Sequence, residues 1–591
     1  MKPATYNRFL LLVAGLGGLL YGIDVGIIAG ALPYLEATSG LNAGQISFVV
    51  AAVLLGTVIS TLFAGVLADR MGRKRLMALS GALFDISIPI IALSHSYELL
   101  IIGRLCQGIS AGLIGVVVPL YLAECLAPQE RGRGTAMFQW LLTLGIVGAA
   151  GVGMYFSLRV EEVAKLGNPQ LLFAFKDHAW RAIFWVSLPP GLLFLAGSFF
   201  VGESPRWLFQ RGRTRLVMET LLRSRTPDAA RLEVDEMERN RALERAKAAT
   251  ARVAESLLKR KYVLPFLLAC LILALNQTTG INSIIGYNIP ILVQSGLSDV
   301  AAHWGYIVFT VVQALATVIG MVLVDRKGRK FLLSLGTAGI VASLLVVVFL
   351  FHRSERRRVD VRQSVQAMLD GRESLKLHFT PSLEHQWLTD AGRTGLATEA
   401  TTLTIIYSYG DFSAVTPAVL SNQPLAAAVQ LSRSNCVPAN QVLAFFSNPF
   451  GNLTQARTAP LRIEHALITP LPSQGNGWLV AICLFAFAAF YAMGPGICVW
   501  LALSELMPTR IRSNGMSIAL VINEAVATVL AAIFLPTVGQ YGYTTMFLLF
   551  AGCTVIYFLA AAFLLPETKG KTLEEIEAHF SRTSVKAPAE G

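Results

Sequence analysis

Long apolar runs separated by short polar joints recur along almost the whole chain. Six cover roughly residues 9–35, 46–68, 76–95, 99–126, 134–157 and 181–201, and six more roughly 262–293, 303–324, 331–351, 476–503, 513–537 and 543–565. Most approach or exceed the ~20 residues with which an α-helix crosses a bilayer. Glycine and proline interrupt many of them, which membrane helices tolerate because neighbouring helices re-satisfy the freed backbone groups. The pattern predicts an all-α membrane protein with twelve transmembrane helices.

The polar joints carry a repeat. Asp69-Arg70-Met71-Gly72-Arg73-Lys74 follows the second run, and Asp325-Arg326-Lys327-Gly328-Arg329-Lys330 follows the eighth. Glu124 precedes Arg131 by the same interval as Glu505 precedes Arg512. Such self-similarity marks two homologous halves. The second Glu/Arg pair trails its loop by far more residues than the first, which places a long insertion there. The expected organisation is an N-terminal six-helix bundle over 1–202, cytoplasmic linker helices over 203–261, three helices over 262–351, an insertion over 352–475, three helices over 476–565 and a tail over 566–591. The linker's charged, Arg/Glu/Leu/Ala-rich composition reads as surface helices without a binding role.

Composition agrees with the pattern and charge orients it. The 591-residue chain is 54% hydrophobic and only 15% charged, where a soluble domain carries about a quarter. The net charge of +12 suggests no nucleic-acid face, because the basic residues lie mostly in short joints. Those at 69–75, 129–133, 325–330 and 510–512 all follow even-numbered runs and share one face, which the positive-inside rule makes cytoplasmic, together with both termini. The insertion then lies on the non-cytoplasmic side. It opens on His352-Arg353-Ser354-Glu355-Arg356-Arg357-Arg358, but long loops translocate largely regardless of charge. Its apolar stretches at 401–409 and 415–429 predict a small folded unit.

Other chemistry is sparse. The seven cysteines form no CxxC and mostly fall in apolar runs, so no disulfide framework is expected. His378 and His385 lack nearby Cys or clear carboxylate partners, and no metal is expected. Asn452-Leu453-Thr454 matches a glycosylation acceptor, a tripeptide common by chance. The basic start, Lys2 and Arg8, imitates an export signal, but the apolar run continues to about Leu35 with no small-residue cleavage site, so a retained first helix is expected.

The two D-R-x-G-R-K loops appear in order with Pro119-Leu120-Tyr121-Leu122-Ala123-Glu124, Glu203-Ser204-Pro205-Arg206, Gln277-Thr278-Thr279-Gly280-Ile281-Asn282 and Pro566-Glu567-Thr568-Lys569-Gly570. With these motifs the chain resembles the sugar porter family of the major facilitator superfamily, over all but the insertion. The resemblance is to its proton-coupled symporters of the xylose, galactose and arabinose type. It implies two pseudo-symmetric six-helix bundles with substrate bound between them at mid-membrane.

Two intramembrane charges stand out. Asp24 sits mid-run in Gly22-Ile23-Asp24-Val25-Gly26, where a carboxylate costs about 2.5–3.5 kcal/mol on insertion scales and is a functional candidate by default. Arg104 is a second buried charge. A purely structural pair is the plainer reading of the two; the resemblance implies a proton-coupling pair in which Asp24 takes up the proton. It also implies sugar contacts at Gln139, Gln277, Asn282 and Trp500, since amides donate and accept at once and aromatics cover sugar-ring faces. Amides that merely join helices are the alternative. Tyr21, Asn276, Tyr287, Gln313 and Asn523 occupy neighbouring family positions. Ile146 lies where a second amide can occur, and Glu524 stands where the family often has Trp. These departures fall on the substrate side and put the substrate identity in question. The gating set implied is Asp69, Arg70, Arg73, Glu124, Arg131, Asp325, Arg329, Glu505 and Arg512, whose role is to bias a two-state equilibrium. Asp85 has no role in the resemblance.

The expectation is a secondary transporter, not an enzyme, of the inner or plasma membrane. It imports a monosaccharide with a proton, needs no cofactor beyond that proton, and works as a monomer in the lipid bilayer. No GxxxxGK[ST] loop is present for ATP-driven transport. The alternatives are a proton-independent facilitator, a carrier of a polyol or other polar solute, and a membrane sugar sensor that uses the insertion.

Overall fold

A computed structural model describes residues 3–126, 128–250, 260–369, 373–393, 400–421, 428–441, 443–444, 448–507 and 512–567. Among them are twelve helical spans long and apolar enough to cross a membrane. The first six are Pro3–Ser39, Ala43–Met71, Arg73–Ala92, Tyr97–Cys125, Met137–Lys165 and Pro169–Phe200. The second six are Tyr262–Gly286, Asp299–Val324, Arg329–Glu355, Gln474–Val499, Gly515–Tyr541 and Tyr543–Leu564. They form two six-helix bundles. The short helices Pro205–Gln210 and Thr214–Ser224 and the longer Pro227–Thr250 follow the first bundle.

Local chemistry sets where the spans begin. Asn42 and Gln45 form a reciprocal capping box at the second span, satisfying N–H groups that a helix start leaves orphaned. Ser96 and Ser298 cap the fourth and eighth. Three spans instead start after a glycine with φ near +90°, Gly72, Gly328 and Gly542. Each is capped by a distant glutamate. Glu203 accepts from Arg73 N (2.8 Å) and Lys74 N (3.1 Å). Glu567 accepts from Arg329 N (3.2 Å) and Lys330 N (3.3 Å). Glu355 accepts from Tyr543 N (2.7 Å) and Thr544 N (3.3 Å). An anion at a helix N-terminus also meets the positive end of its dipole.

Packing within the first bundle follows a glycine stripe. A Cβ on Gly18 or Gly22 would collide with the Phe138 or Leu142 carbonyl of the fifth span, and one on Gly145 with the Leu19 carbonyl of the first. The two backbones therefore touch, the usual solution where lipid supplies no hydrophobic drive between helices.

Between the ninth and tenth spans lies a separate α/β unit. Its strands are β1 (Val359–Asp360), β2 (Leu375–Leu377), β3 (Thr401–Tyr409), β4 (Phe412–Val415), β5 (Val419–Leu420), β6 (Val429–Leu431) and β7 (Leu461–Pro470). The main sheet runs β1-β7-β3-β4 with β5 also on β3, and β2 pairs with β6. Strand β3 is buried on both sides. Leu403, Ile405, Tyr407 and Tyr409 enter the unit's own core with Trp387 and Ile463. Ile406 faces the helices with Val415, Ala43 and Leu535. Burial on two faces is why its sequence lacks the polar/apolar alternation of a half-exposed strand.

Candidate functional site

Asp24 and Arg104 lie on the first and fourth spans, exposed by only 2% and 1%. Arg104 Nη1 sits 3.9 Å from Asp24 Oδ1, beyond hydrogen-bond reach. That nitrogen donates instead to Gln107 Oε1 at 2.6 Å, one turn along the fourth span, while Nε donates to the Val49 carbonyl at 3.4 Å. The Phe184 ring lies 5.6 Å from the guanidinium carbon. Among the described residues, neither Asp24 oxygen has a hydrogen-bond partner. The arginine is thus anchored by neutral groups, and the acid is attracted to it without being tied. Low dielectric makes that attraction strong, while no hydrogen bond from a described residue ties the carboxylate in place.

The amides gather where the seventh span breaks. Its helix Arg260–Thr278 ends ahead of left-handed Gly280 (φ +82°) and restarts at Ile281. A break at this depth is tolerated only where protein or a cavity receives the backbone. It turns Asn282 back so that its Nδ2 donates to Gln277 Oε1 at 2.9 Å. Asn276 Nδ2 donates to Tyr491 OH of the tenth span at 3.3 Å. On the eleventh span, Asn523 Nδ2 donates to Glu524 Oε1 at 3.1 Å. Tyr21, one turn before Asp24, lies within electrostatic reach of Asp24, Tyr491 and Glu524. Tyr21, Asp24, Asn276, Tyr491, Asn523 and Glu524 therefore converge where the halves meet. Gln139 is exposed on the fifth span and Gln313 is partly exposed on the eighth.

Tyr287 is placed differently. It is fully buried, its hydroxyl 3.0 Å from the Ala531 carbonyl and 3.2 Å from Ser47 Oγ, its ring stacked on Phe534 at 4.4 Å. It belongs to a seam that joins the halves at the insertion end. There Asp299 Oδ2 accepts from Tyr34 OH at 3.0 Å and Ser157 Oγ at 2.6 Å. Tyr306 OH donates to the Gly26 carbonyl at 3.1 Å. All of these bonds but Tyr287–Ala531, which stays within the second half, link the first half to the second.

At the opposite end, the first D-R-x-G-R-K loop is locked. Arg73 Nη2 donates to Glu124 Oε1 at 2.9 Å, its Nε lies 2.9 Å from Oε2, and Nη1 reaches Asp69 at 3.1 Å. Ser204 Oγ donates to Glu124 at 2.5 Å, and Trp207 Nε1 donates to the Asp69 carbonyl at 2.8 Å. Arg70 is exposed. The second loop repeats the glutamate cap through Glu567 at Arg329. The side chains of Arg131, Asp325, Trp500, Glu505 and Arg512 lie outside the described residues, as do residues 568–570 of the last motif.

Two participants escaped the sequence reading, Gln107 and Tyr491, while Ser204 stood in a quoted motif without a role. A glutamine one turn after a buried arginine is a usable signal for the first; Tyr491 lies far along the chain from Asn276 and leaves none. Asp85 packs against Gly191 of the sixth span, with no hydrogen-bond partner for its carboxylate among the described residues. No group of three potential metal ligands occurs among the described residues.

The model of the family described as "Sugar (and other) transporter" matches residues 10–366 and 460–580. The intervening gap falls within the α/β unit. The glucose transporter GlcP of Staphylococcus epidermidis is 27% identical over 583 residues, covering 97% of each chain. The human proton myo-inositol cotransporter is 27% identical, covering 96% of this chain and 81% of its own. Among solved structures, the E. coli xylose transporter XylE, in a partially occluded inward open conformation, superposes with a TM-score of 0.62. It is 19% identical and covers 96% of this chain and 100% of its own; that likeness concerns the fold.

Proposed function

Because the chain belongs to the sugar (and other) transporter family, we propose that it imports a monosaccharide across the plasma membrane together with a proton. Transport proceeds by alternating access between the two bundles. The supporting observation is the Asp24–Arg104 pair, buried where the halves meet, 3.9 Å apart, with neither carboxylate oxygen hydrogen-bonded among the described residues. A carboxylate so placed alternates between an ionised form attracted to the arginine and a neutral form that releases it. Linking that change to the closure of the bundles couples proton flux to sugar flux. The relatives named a glucose transporter and a proton myo-inositol cotransporter support the substrate class and the coupling ion.

In this reading the face bearing both D-R-x-G-R-K loops is cytoplasmic, and both termini lie there. The seam of Tyr34, Ser157, Asp299 and Tyr287 is the closed external gate, so the conformation described is closed to the outside. The Arg73–Glu124–Asp69 cluster holds the internal end of the first bundle in shape while the bundles rock. One protomer contains the whole path, and the proton is the only coupling species.

Proteoliposome uptake with an imposed pH gradient, screened over pentoses, hexoses and inositol, tests the reading. The wild type is expected to concentrate one sugar, and Asp24→Asn to exchange that sugar without accumulating it. Accumulation by Asp24→Asn equal to that of the wild type removes Asp24 from the coupling.

A further inference from the structure

Where the halves meet, acid outnumbers base among the described residues. Asp24 on the first span and Glu524 on the eleventh approach Tyr21 from the two halves. Arg104, the cation described above, is anchored on the Asp24 side by Gln107. Among the described residues, no arginine, lysine or histidine lies within ion-pair distance of Glu524, whose hydrogen bond comes from its neighbour Asn523. A carboxylate at this depth is expensive to keep, and an apolar or amide side chain would span the membrane at less cost.

The neighbouring amides point the same way. Asn523 is fully buried and Asn276 is 2% exposed. Each spends its Nδ2 on a protein oxygen, Glu524 Oε1 and Tyr491 OH respectively. Their Oδ1 atoms are unpartnered among the described residues, as are both oxygens of Asp24. A buried acceptor without a donor costs about 1–3 kcal/mol; these oxygens are closed off in the conformation described, and a ligand that brings donors satisfies them once the bundles part. A sugar hydroxyl brings one donor and no charge. A protonated primary amine brings three donors, no acceptor, and the positive charge that Glu524 lacks.

We propose that Glu524 is a specificity residue that selects a monosaccharide carrying a protonated amino group, held between the Glu524 carboxylate and the free carbonyl oxygens of Asn523 and Asn276. The inference rests on the reading of this cleft as a sugar path. It adds that the cargo is a cationic amino sugar, with the ring hydroxyls left to Gln277 and Asn282.

The test pairs uptake with binding at pH 6, where a sugar amine carries its proton, using D-glucosamine and D-glucose. Proteins are the wild type, Glu524→Gln and the charge-preserving Glu524→Asp. In proteoliposomes the wild type is expected to take up glucosamine at least tenfold faster than glucose. Glu524→Gln should bring that ratio to within about twofold of unity, and Glu524→Asp should restore most of it. In detergent, glucosamine should raise the melting temperature of the wild type and not that of Glu524→Gln, which also shows whether the variant is folded. Glucose uptake without discrimination by the wild type overturns the amine site and leaves sugar transport standing. Stabilisation of the wild type by glucosamine, with no uptake of either sugar, upholds the site and overturns the transport reading. Absence of both glucosamine binding and glucosamine uptake overturns the proposal.

Discussion

Two buried ion pairs of the first bundle are built to opposite ends. Arg73 and Glu124 are joined at two points by contacts of 2.9 Å, and the Ala68 carbonyl, Asp69 and Ser204 add further contacts to the pair. Arg104 and Asp24 stand 3.9 Å apart, the acid without a hydrogen-bond partner among the described residues. The first pair behaves as a rivet, because removing one partner of a satisfied buried pair strands a charge at a cost of about 3–5 kcal/mol. Arg73→Ala is therefore expected to lower the detergent melting temperature by several degrees, and Glu124→Gln in the same background to recover part of the loss. A melting temperature unchanged by Arg73→Ala contradicts the rivet. The second pair lacks that commitment, which is what the proposed proton-coupling role of Asp24 requires.

At the scale of elements, the first and fifth spans pack through backbone. Gly22→Val places a branched side chain against the Leu142 carbonyl, and the fifth span has no flexible atom there to move aside. The expected outcome is loss of folded protein in size-exclusion chromatography; Gly148→Ala, with open space beyond its Cα, serves as the neutral control. Much at this scale was legible beforehand. Apolar runs reveal membrane helices because length and hydropathy alone decide whether a segment partitions into lipid. The loops and the Asp24–Arg104 pair were legible because charges in or beside such runs are rare enough to stand out. The α/β unit was not legible beyond its apolar stretches. Strand β3 pairs with β7 from some sixty residues away, and hydrophobic periodicity carries no information about remote pairing. Tyr287 illustrates the other limit: its position in the motif suggested the cleft, while packing against Phe534 and Ser47 carries it to the seam.

At the scale of the molecule, the α/β unit grips both bundles at once. Asn42, which caps the second span, donates to the Asn435 carbonyl, and Asn435 Nδ2 donates to the Gly40 carbonyl at 3.1 Å. On the other half, Val415 packs against Gly539 and belongs to the cluster with Leu535, and Ser354 Oγ donates to the Pro470 carbonyl at 3.0 Å. Between the sheet and the span ends lies a cavity of about 1530 Å³, whose walls include Thr402, Thr404, Glu36 and Arg353. If the bundles part at this end in each cycle, one grip must release. Cysteines at positions 42 and 435 joined by a cleavable bifunctional thiol reagent are expected to halt uptake, and cleavage to restore it, with each single variant insensitive. Full-rate uptake by the joined protein shows that the grip on the second half is the one that yields.

That double grip separates two properties usually tuned together. On the proposed function, the groups facing the cargo are those at mid-membrane, whereas part of the work of parting the bundles falls to a unit that the cargo meets only in passing. Substitutions at Asn435 or Val415 are then expected to alter turnover while leaving selectivity untouched, and those at Glu524 to do the reverse. Speed and choice are written in different stretches of this chain, and each is open to change without the other.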